Sequence, residues 1–102
     1  MERITNKDVE SVCKRINQVF GRAEIGWDRE NGRNVAQVGH FYLDGAHGGW
    51  ALYEIMNEGG GVHDVFSVGH VPRRELYGLM QAFLRGAEYE WADYEGSSKG
   101  TV

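Results

Sequence analysis

Glycine clusters in the middle of the chain limit what this sequence can fold into. Six of the 15 glycines lie in two short runs, at positions 44–49 and 57–61. Glycine destabilises a helix interior by about 1 kcal/mol relative to alanine, whereas it suits turns that need a positive φ. The middle of the chain is therefore predicted to form short strands joined by tight turns.

Four segments around these turns have the composition of β-strands. They are rich in aromatic and β-branched residues and lie between turn signals, at 25–27, 35–43, 50–56 and 62–68. Asn31-Gly32 is typical of a two-residue hairpin, because both central positions of a type I′ turn need φ > 0. Short links favour an antiparallel meander of three or four strands. Both faces of segment 35–43 carry apolar side chains, so alternation leaves open which face is buried.

The two ends of the chain have helical patterns. The first predicted helix begins at the N-cap Thr5 and stops at Gly21, and its apolar residues recur every three or four positions. The second begins near Pro72 and runs to about Tyr94, with apolar residues at the same spacing. The order α-β-β-β-α predicts a single α+β domain over residues 1–95, with both helices packed on one face of the sheet. Residues 96–102 are predicted to form a flexible tail.

Charge and cysteine content argue against several functional classes. The net charge is −4, and residues 35–72 contain four acidic side chains but no lysine or arginine, which argues against nucleic-acid binding by the sheet. The single cysteine excludes an internal disulfide and a cysteine-based zinc site. No apolar run is long enough to cross a membrane and no signal-peptide pattern is present, so a cytoplasmic location is expected.

Motifs for catalysis or cofactor binding are also missing. The glycine runs join strands and lack the lysine of a phosphate-binding loop, and the spacing does not match a dinucleotide fingerprint. Four histidines in the β region leave a divalent-metal site conceivable, but their spacing matches no metal signature, and ordinary hydrogen-bonded histidines are favoured. We therefore predict no enzymatic activity, no cofactor and no metal.

Aromatic and basic residues are the candidates for partner binding. Two arginines stand in the first turn of the second helix, where the helix dipole disfavours cations, so they are either solvated or in contact with an anion. Aromatic residues on the predicted strands and aromatic residues among acids near the end of the second helix are further candidates. The full set is Tyr42, Trp50, Tyr53, Arg73, Arg74, Trp91 and Tyr94.

Three motifs carry a resemblance to known proteins. Residues 38–49 read VGHFYLDGAHGG, residues 57–61 read NEGGG and residues 72–77 read PRRELY. They resemble a family of short proteins from tailed phages and prophages with the pattern I-G-x-Y-x-L-D-x-A-Y-G-G, N-E-G-G-G and K-R-E-L-Y. Val38 and His47 replace the Ile and Tyr of that pattern. The resemblance extends from the first helix to about Ala87 and implies a phage-related origin and expression inside a bacterial cell.

These observations predict a non-enzymatic protein-binding module, a phage accessory protein that binds and modulates a bacterial host protein. The face of the sheet away from the helices is expected to meet that partner or a second copy in a homodimer. The alternative is a nucleic-acid-binding module, because the element order resembles that of a double-stranded-RNA-binding domain. Arg73 and Arg74 occupy the place where such domains contact phosphates, although the surrounding lysines are missing.

Overall fold

The computed structural model describes residues 3–100, with side chains for residues 3–88. Its elements are α1 (Asn6–Val19), β1 (Trp27–Glu30), β2 (Arg33–Ala36), β3 (Phe41–Ala46), β4 (Gly49–Ile55), β5 (Val62–Asp64) and α2 (Arg73–Gly100). The strands form two antiparallel sheets, one of β1 and β2 and one in the order β3-β4-β5. The predicted α+β class is confirmed.

The capping interactions predicted at the start of α1 are present. The Thr5 hydroxyl accepts a hydrogen bond from the Asp8 amide, and the Asp8 carboxylate accepts one from the Thr5 amide at 2.7 Å. This capping box satisfies two backbone donors that a helix start leaves unpaired. Gly21, with φ of 67°, lies just past the end of the helix, as expected for a left-handed stop.

The predicted hairpin turn at Asn31-Gly32 is confirmed, since both residues have positive φ and β1 pairs with β2 across them. The prediction of one continuous strand over 35–43 is wrong. The chain turns between β2 and β3, where the His40 amide bonds to the Gln37 carbonyl at 3.1 Å. Gly39 has φ of 92°, which a strand does not accommodate.

The β3-β4-β5 sheet is built from a second tight hairpin. His47 and Gly48 have φ of 53° and 75° and form the two-residue turn between β3 and β4. The last strand is shorter than the predicted segment 62–68 and ends at Asp64. The Asp64 carboxylate accepts hydrogen bonds from the amides of Phe66, Ser67 and Gly69, which turns the chain out of the sheet.

Both helices pack on one face of this sheet, as predicted. Phe41 and Leu43 alternate with Tyr42 along β3, and Leu52 lies opposite Leu43 on β4. The buried cluster combines this face with the two helices; its members are Val9, Val12, Cys13, Ile16, Phe41, Leu52, Leu76, Met80 and Leu84.

The second helix starts where proline allows it. The Pro72 carbonyl accepts the first helical hydrogen bond, from the Leu76 amide at 3.0 Å, and Arg73 is the first helical residue. The helical backbone continues to Gly100, past the end expected near Tyr94. The flexible tail at 96–102 and the domain boundary at 95 stay predictions, because side chains beyond residue 88 and the last two residues lie outside the description. No helix in the described residues is both long and apolar enough to cross a membrane.

Candidate functional site

The candidate site lies on the face of the β3-β4-β5 sheet opposite the helices. Strand alternation sends Tyr42 and Asp44 to this side, and pairing places Tyr53 directly opposite Tyr42. His47 from the β3-β4 turn and His70 from the segment before α2 lie against these residues. We call the surface formed by these five residues the open face.

Two tyrosines form the aromatic part of the open face. The ring centroids of Tyr42 and Tyr53 are 5.8 Å apart, with an angle of 59° between the ring planes. Both residues are half-buried, so each is partly exposed to solvent. Burial raises the pKa of Tyr42, and the neighbouring charges of Asp44 and Tyr53 raise it further. The Tyr42 phenol therefore stays protonated at neutral pH, as a hydrogen-bonding group rather than a nucleophile.

A histidine–carboxylate pair lies beside the tyrosines. The Nε2 atom of His70 is 2.7 Å from Oδ2 of Asp44. The His70 ring also meets Tyr53 edge to face, with centroids 6.1 Å apart. When the imidazole is neutral, this hydrogen bond requires the proton on Nε2, so the other ring nitrogen is the acceptor. The pair fixes the orientation of the His70 ring.

A backbone contact holds His70 in place. Trp50 and Val71 exchange two backbone hydrogen bonds, at 2.8 and 2.9 Å, which fix the residue next to His70 against β4. Gly49 makes this approach possible, because a Cβ there would lie 2.9 Å from the Val71 carbonyl oxygen. His47 completes the group from the adjacent turn, with its ring centroid 5.7 Å from that of His70.

The open face has a base but lacks the rest of a nucleophilic site in the described residues. Among the described side chains, the hydrogen-bond partner of His70 is Asp44, and no hydroxyl or thiol is bonded to its ring. Cys13 is buried on α1, its thiol donates to the Phe41 carbonyl at 3.4 Å, and burial raises its pKa to about 11. A thiol with that pKa is inert at neutral pH.

Metal binding finds no support in the described part of the chain. Within residues 3–88, no three His, Cys, Asp or Glu side chains are close enough to share a metal ion. His40 is buried, and its Nδ1 lies 2.7 Å from the Ala23 carbonyl oxygen. His63 lies 2.8 Å from Glu54, which also pairs with Arg22 at 3.0 Å. These two histidines therefore have structural hydrogen-bond partners.

The predicted partner-binding residues do not all lie together. Tyr42 and Tyr53 share the open face, whereas Trp50 lies on the helix side of β4, half-buried against the core. Trp50 is therefore placed away from the surface that the tyrosines form. The predictions for Trp91 and Tyr94 concern side chains outside the described residues.

The two arginines are the first two residues of α2. Arg73 hydrogen-bonds to the Asn6 side chain at the start of α1. Arg74 is exposed and has an interaction partner. Arg73 also borders a depression of about 490 Å³ together with Arg3 and Lys7, so basic side chains from the starts of both helices meet there.

Hydrogen-bonded histidines were expected in the β region, but the sequence did not predict the contacts among Asp44, His47 and His70. Asp44 and His70 are 26 positions apart, and only the register of β3 and β4 and the return of the chain beside β4 bring them together. His47 was part of a predicted turn, but its contact with His70 depends on the same return. Comparison with protein-family models, curated proteins and solved structures finds no match to this chain.

Proposed function

We propose that this chain is a non-enzymatic protein-binding module that contacts its partner through the open face. The observation that carries the proposal is the half-buried Tyr42–Tyr53 pair, oriented beside a hydrogen-bonded His70–Asp44 pair on the side of the sheet away from both helices. Tyrosine combines a large apolar ring with a polar end, and tyrosines are enriched among the residues that dominate binding energy at protein interfaces.

The charge around the open face favours a partner with basic side chains. Residues 35–72 contain four acids and no lysine or arginine. Asp44 is 42% exposed at its side chain, and its charge contributes to the raised pKa of Tyr42. A cationic side chain over a tyrosine ring next to this carboxylate would gain both cation–π and Coulomb attraction.

The resemblance to phage proteins supports a bacterial protein as the partner. Small accessory phage proteins often bind and alter host proteins, and the three motifs of that resemblance include the strand that carries Tyr42 and Asp44. We therefore propose that this chain is a phage accessory protein, which acts inside the bacterial cell by binding a host factor.

The tyrosine pair provides the test of this function. We expect Tyr42→Ala to weaken binding of a captured bacterial protein by about 2 kcal/mol or more, since truncating a central interface aromatic has effects of this size. Trp27→Ala is the matched control, because Trp27 is an aromatic residue 52% exposed on the separate β1-β2 hairpin. Affinity capture with quantitative mass spectrometry, followed by calorimetry on the captured protein, gives both values.

Two outcomes would contradict this function. One is the absence of any bacterial protein that the wild type captures and Tyr42→Ala does not. The other is equal loss of binding in Tyr42→Ala and Trp27→Ala, which would place the contact elsewhere. Light scattering on the wild type separately tests the homodimer, because a monomer at micromolar concentration excludes a second copy as the occupant of the open face.

Nucleic-acid binding is the second candidate, favoured by the grouping of Arg3, Lys7 and Arg73 at the starts of both helices. If this depression holds phosphates, affinity for duplex RNA or DNA should fall steeply with salt, by about 0.9 logarithmic units per phosphate contact for each tenfold rise on B-DNA. Arg73→Glu combined with Arg74→Glu should then abolish binding. Because the net charge is −4, we expect weak binding from the wild type and no loss of the protein partner from this double variant. Fluorescence anisotropy over a salt series distinguishes the two results.

A further inference from the structure

We propose that the outer edge of β3 binds an extended peptide segment by strand addition, with a basic side chain of that peptide opposite Asp44. The site rests on the proposed protein-binding function, and it adds a second contact surface at the sheet edge. The partner is thus identified by its backbone conformation and by its charge.

Asn17 shows which backbone groups of β3 point outward. Its side-chain amide donates to the Phe41 carbonyl at 2.9 Å, and its side-chain oxygen accepts from the Phe41 amide at 2.8 Å. Asn17 therefore makes, on the outer side of β3, the pair of hydrogen bonds that a neighbouring strand would make. In an antiparallel pair, outward-pointing residues alternate along the strand, so Leu43 and Gly45 also direct their amides and carbonyls outward.

The rest of this edge is open. In the described part of the chain, β4 is the one strand that pairs with β3, and it lies on the inner side. Natural edge strands are commonly protected by proline, by charged side chains such as lysine, or by a bulge. Residues 42–46 read YLDGA, so the one protecting residue is Asp44, whose negative charge does not oppose a basic partner. An extended backbone is the group that satisfies outward amides and carbonyls at two-residue spacing.

A groove runs along this edge and gives room for a peptide. It has a volume of about 530 Å³, and its lining combines apolar side chains, among them Cys13, Leu43 and Trp50, with the charged Glu10, Lys14 and Glu24. The exposed Ile25 adds to the apolar part of this lining. The groove therefore suits an extended segment whose side chains on the helix side are apolar.

A second copy of the chain fits this edge less well than a peptide. The register that uses Leu43 and Gly45 of both copies pairs Leu43 of one with Gly45 of the other, which places the two Asp44 carboxylates directly opposite each other. Like charges in that position are destabilising. Registers shifted toward Phe41 meet the side chain of Asn17, which already occupies that backbone position.

The same geometry defines the peptide. Residues opposite Leu43 and Gly45 point to the helix side, toward the apolar groove, and the residue between them lies opposite Asp44 on the open face. An opposite-charge pair across strands is stabilising. The preferred sequence is therefore apolar-basic-apolar in an extended conformation.

The test uses the acetylated and amidated peptide Thr-Val-Arg-Val-Thr with ¹⁵N-labelled protein. We expect chemical-shift changes and slowed hydrogen exchange at the amides of Leu43 and Gly45. Gly45→Pro removes one of these outward amides but keeps the inward hydrogen bonds to β4. It should therefore weaken binding of the peptide about tenfold or more. Gly45→Ala is the matched control and should bind like the wild type, since a Cβ at Gly45 meets its neighbours at ordinary distances of 3.6–3.7 Å.

Charge gives a second readout that does not depend on proline. Replacing arginine by glutamine in the peptide should weaken binding to the wild type about two- to fivefold, and Asp44→Asn should remove this difference. Absence of shifts at Leu43 and Gly45 with millimolar peptide would overturn the site. So would unchanged binding by Gly45→Pro, or a wild-type dimer that Gly45→Pro dissociates. If a captured bacterial protein depends on Tyr42 but not on Gly45, strand addition fails while the proposed function stands.

Discussion

Asn17→Leu is expected to lower the free energy of unfolding by about 2–4 kcal/mol. Asn17 is 5% exposed, and its side chain holds both backbone groups of Phe41. Leucine leaves the buried Phe41 amide without a partner, which costs about 1–3 kcal/mol, and it also removes one bond to the carbonyl. The carbonyl keeps the Cys13 thiol as a donor, so the loss there is smaller.

Chemical denaturation of the wild type and the variant measures this loss. Gln18→Leu is the matched control, because Gln18 is the exposed neighbour on the same helix and should change stability by less than about 0.5 kcal/mol. A loss for Asn17→Leu no larger than that of the control would show that the edge of β3 does not depend on this side chain. Another contact would then have to fix the position of β3 relative to α1.

Gly49→Ala is expected to cost about 2–4 kcal/mol and to disturb the open face. The added Cβ would lie 3.0 Å or less from the Val71 carbonyl oxygen, the Val71 nitrogen and the His70 carbonyl carbon. These are backbone atoms that cannot rotate away, so the segment must move and weaken its two hydrogen bonds to Trp50. His70 is part of that segment, so its bond to Asp44 should lengthen.

Gly45→Ala again supplies the control, because Gly45 lies opposite Trp50 on the next strand and has ordinary space for a methyl group. Denaturation gives the stability of both variants, and the ring ¹⁵N and ¹H shifts of His70 report the bond to Asp44. Equal stability of the two alanine variants, or an unchanged His70 spectrum in Gly49→Ala, would contradict the close approach at Gly49.

Features encoded by neighbouring residues could be predicted from the sequence. The capping box of Thr5 and Asp8 and the Asn31-Gly32 turn each depend on residues within a few positions, so local patterns suffice. The break between β2 and β3 was missed, because residues 35–43 have strand composition throughout and Gly39 was interpreted as part of the strand. The early end of β5 was missed because the Asp64 side chain, rather than a glycine or proline, turns the chain.

The candidate site was only partly predictable for a related reason. Tyr42 and Tyr53 were identified as strand aromatics, but Trp50 belongs to the opposite face, and composition did not distinguish the faces. The His70–Asp44 pair and the two bonds from Asn17 to Phe41 join residues 24 or more positions apart. Such contacts depend on how helices and strands pack, which local patterns do not encode.

The packing of α1 against α2 has a consequence for synthesis of the chain. The core joins α1 to the much later α2, since Leu76 and Met80 of α2 belong to the same buried cluster as Ile16 of α1. The hairpins close through local contacts and can form early, whereas the contacts between the helices span most of the chain and form late. A ribosome that has made the chain up to Gly69 therefore holds a sheet that α2 does not yet cover. Folding is completed only when α2 emerges, and until then the apolar side of the sheet is the surface that a chaperone would meet.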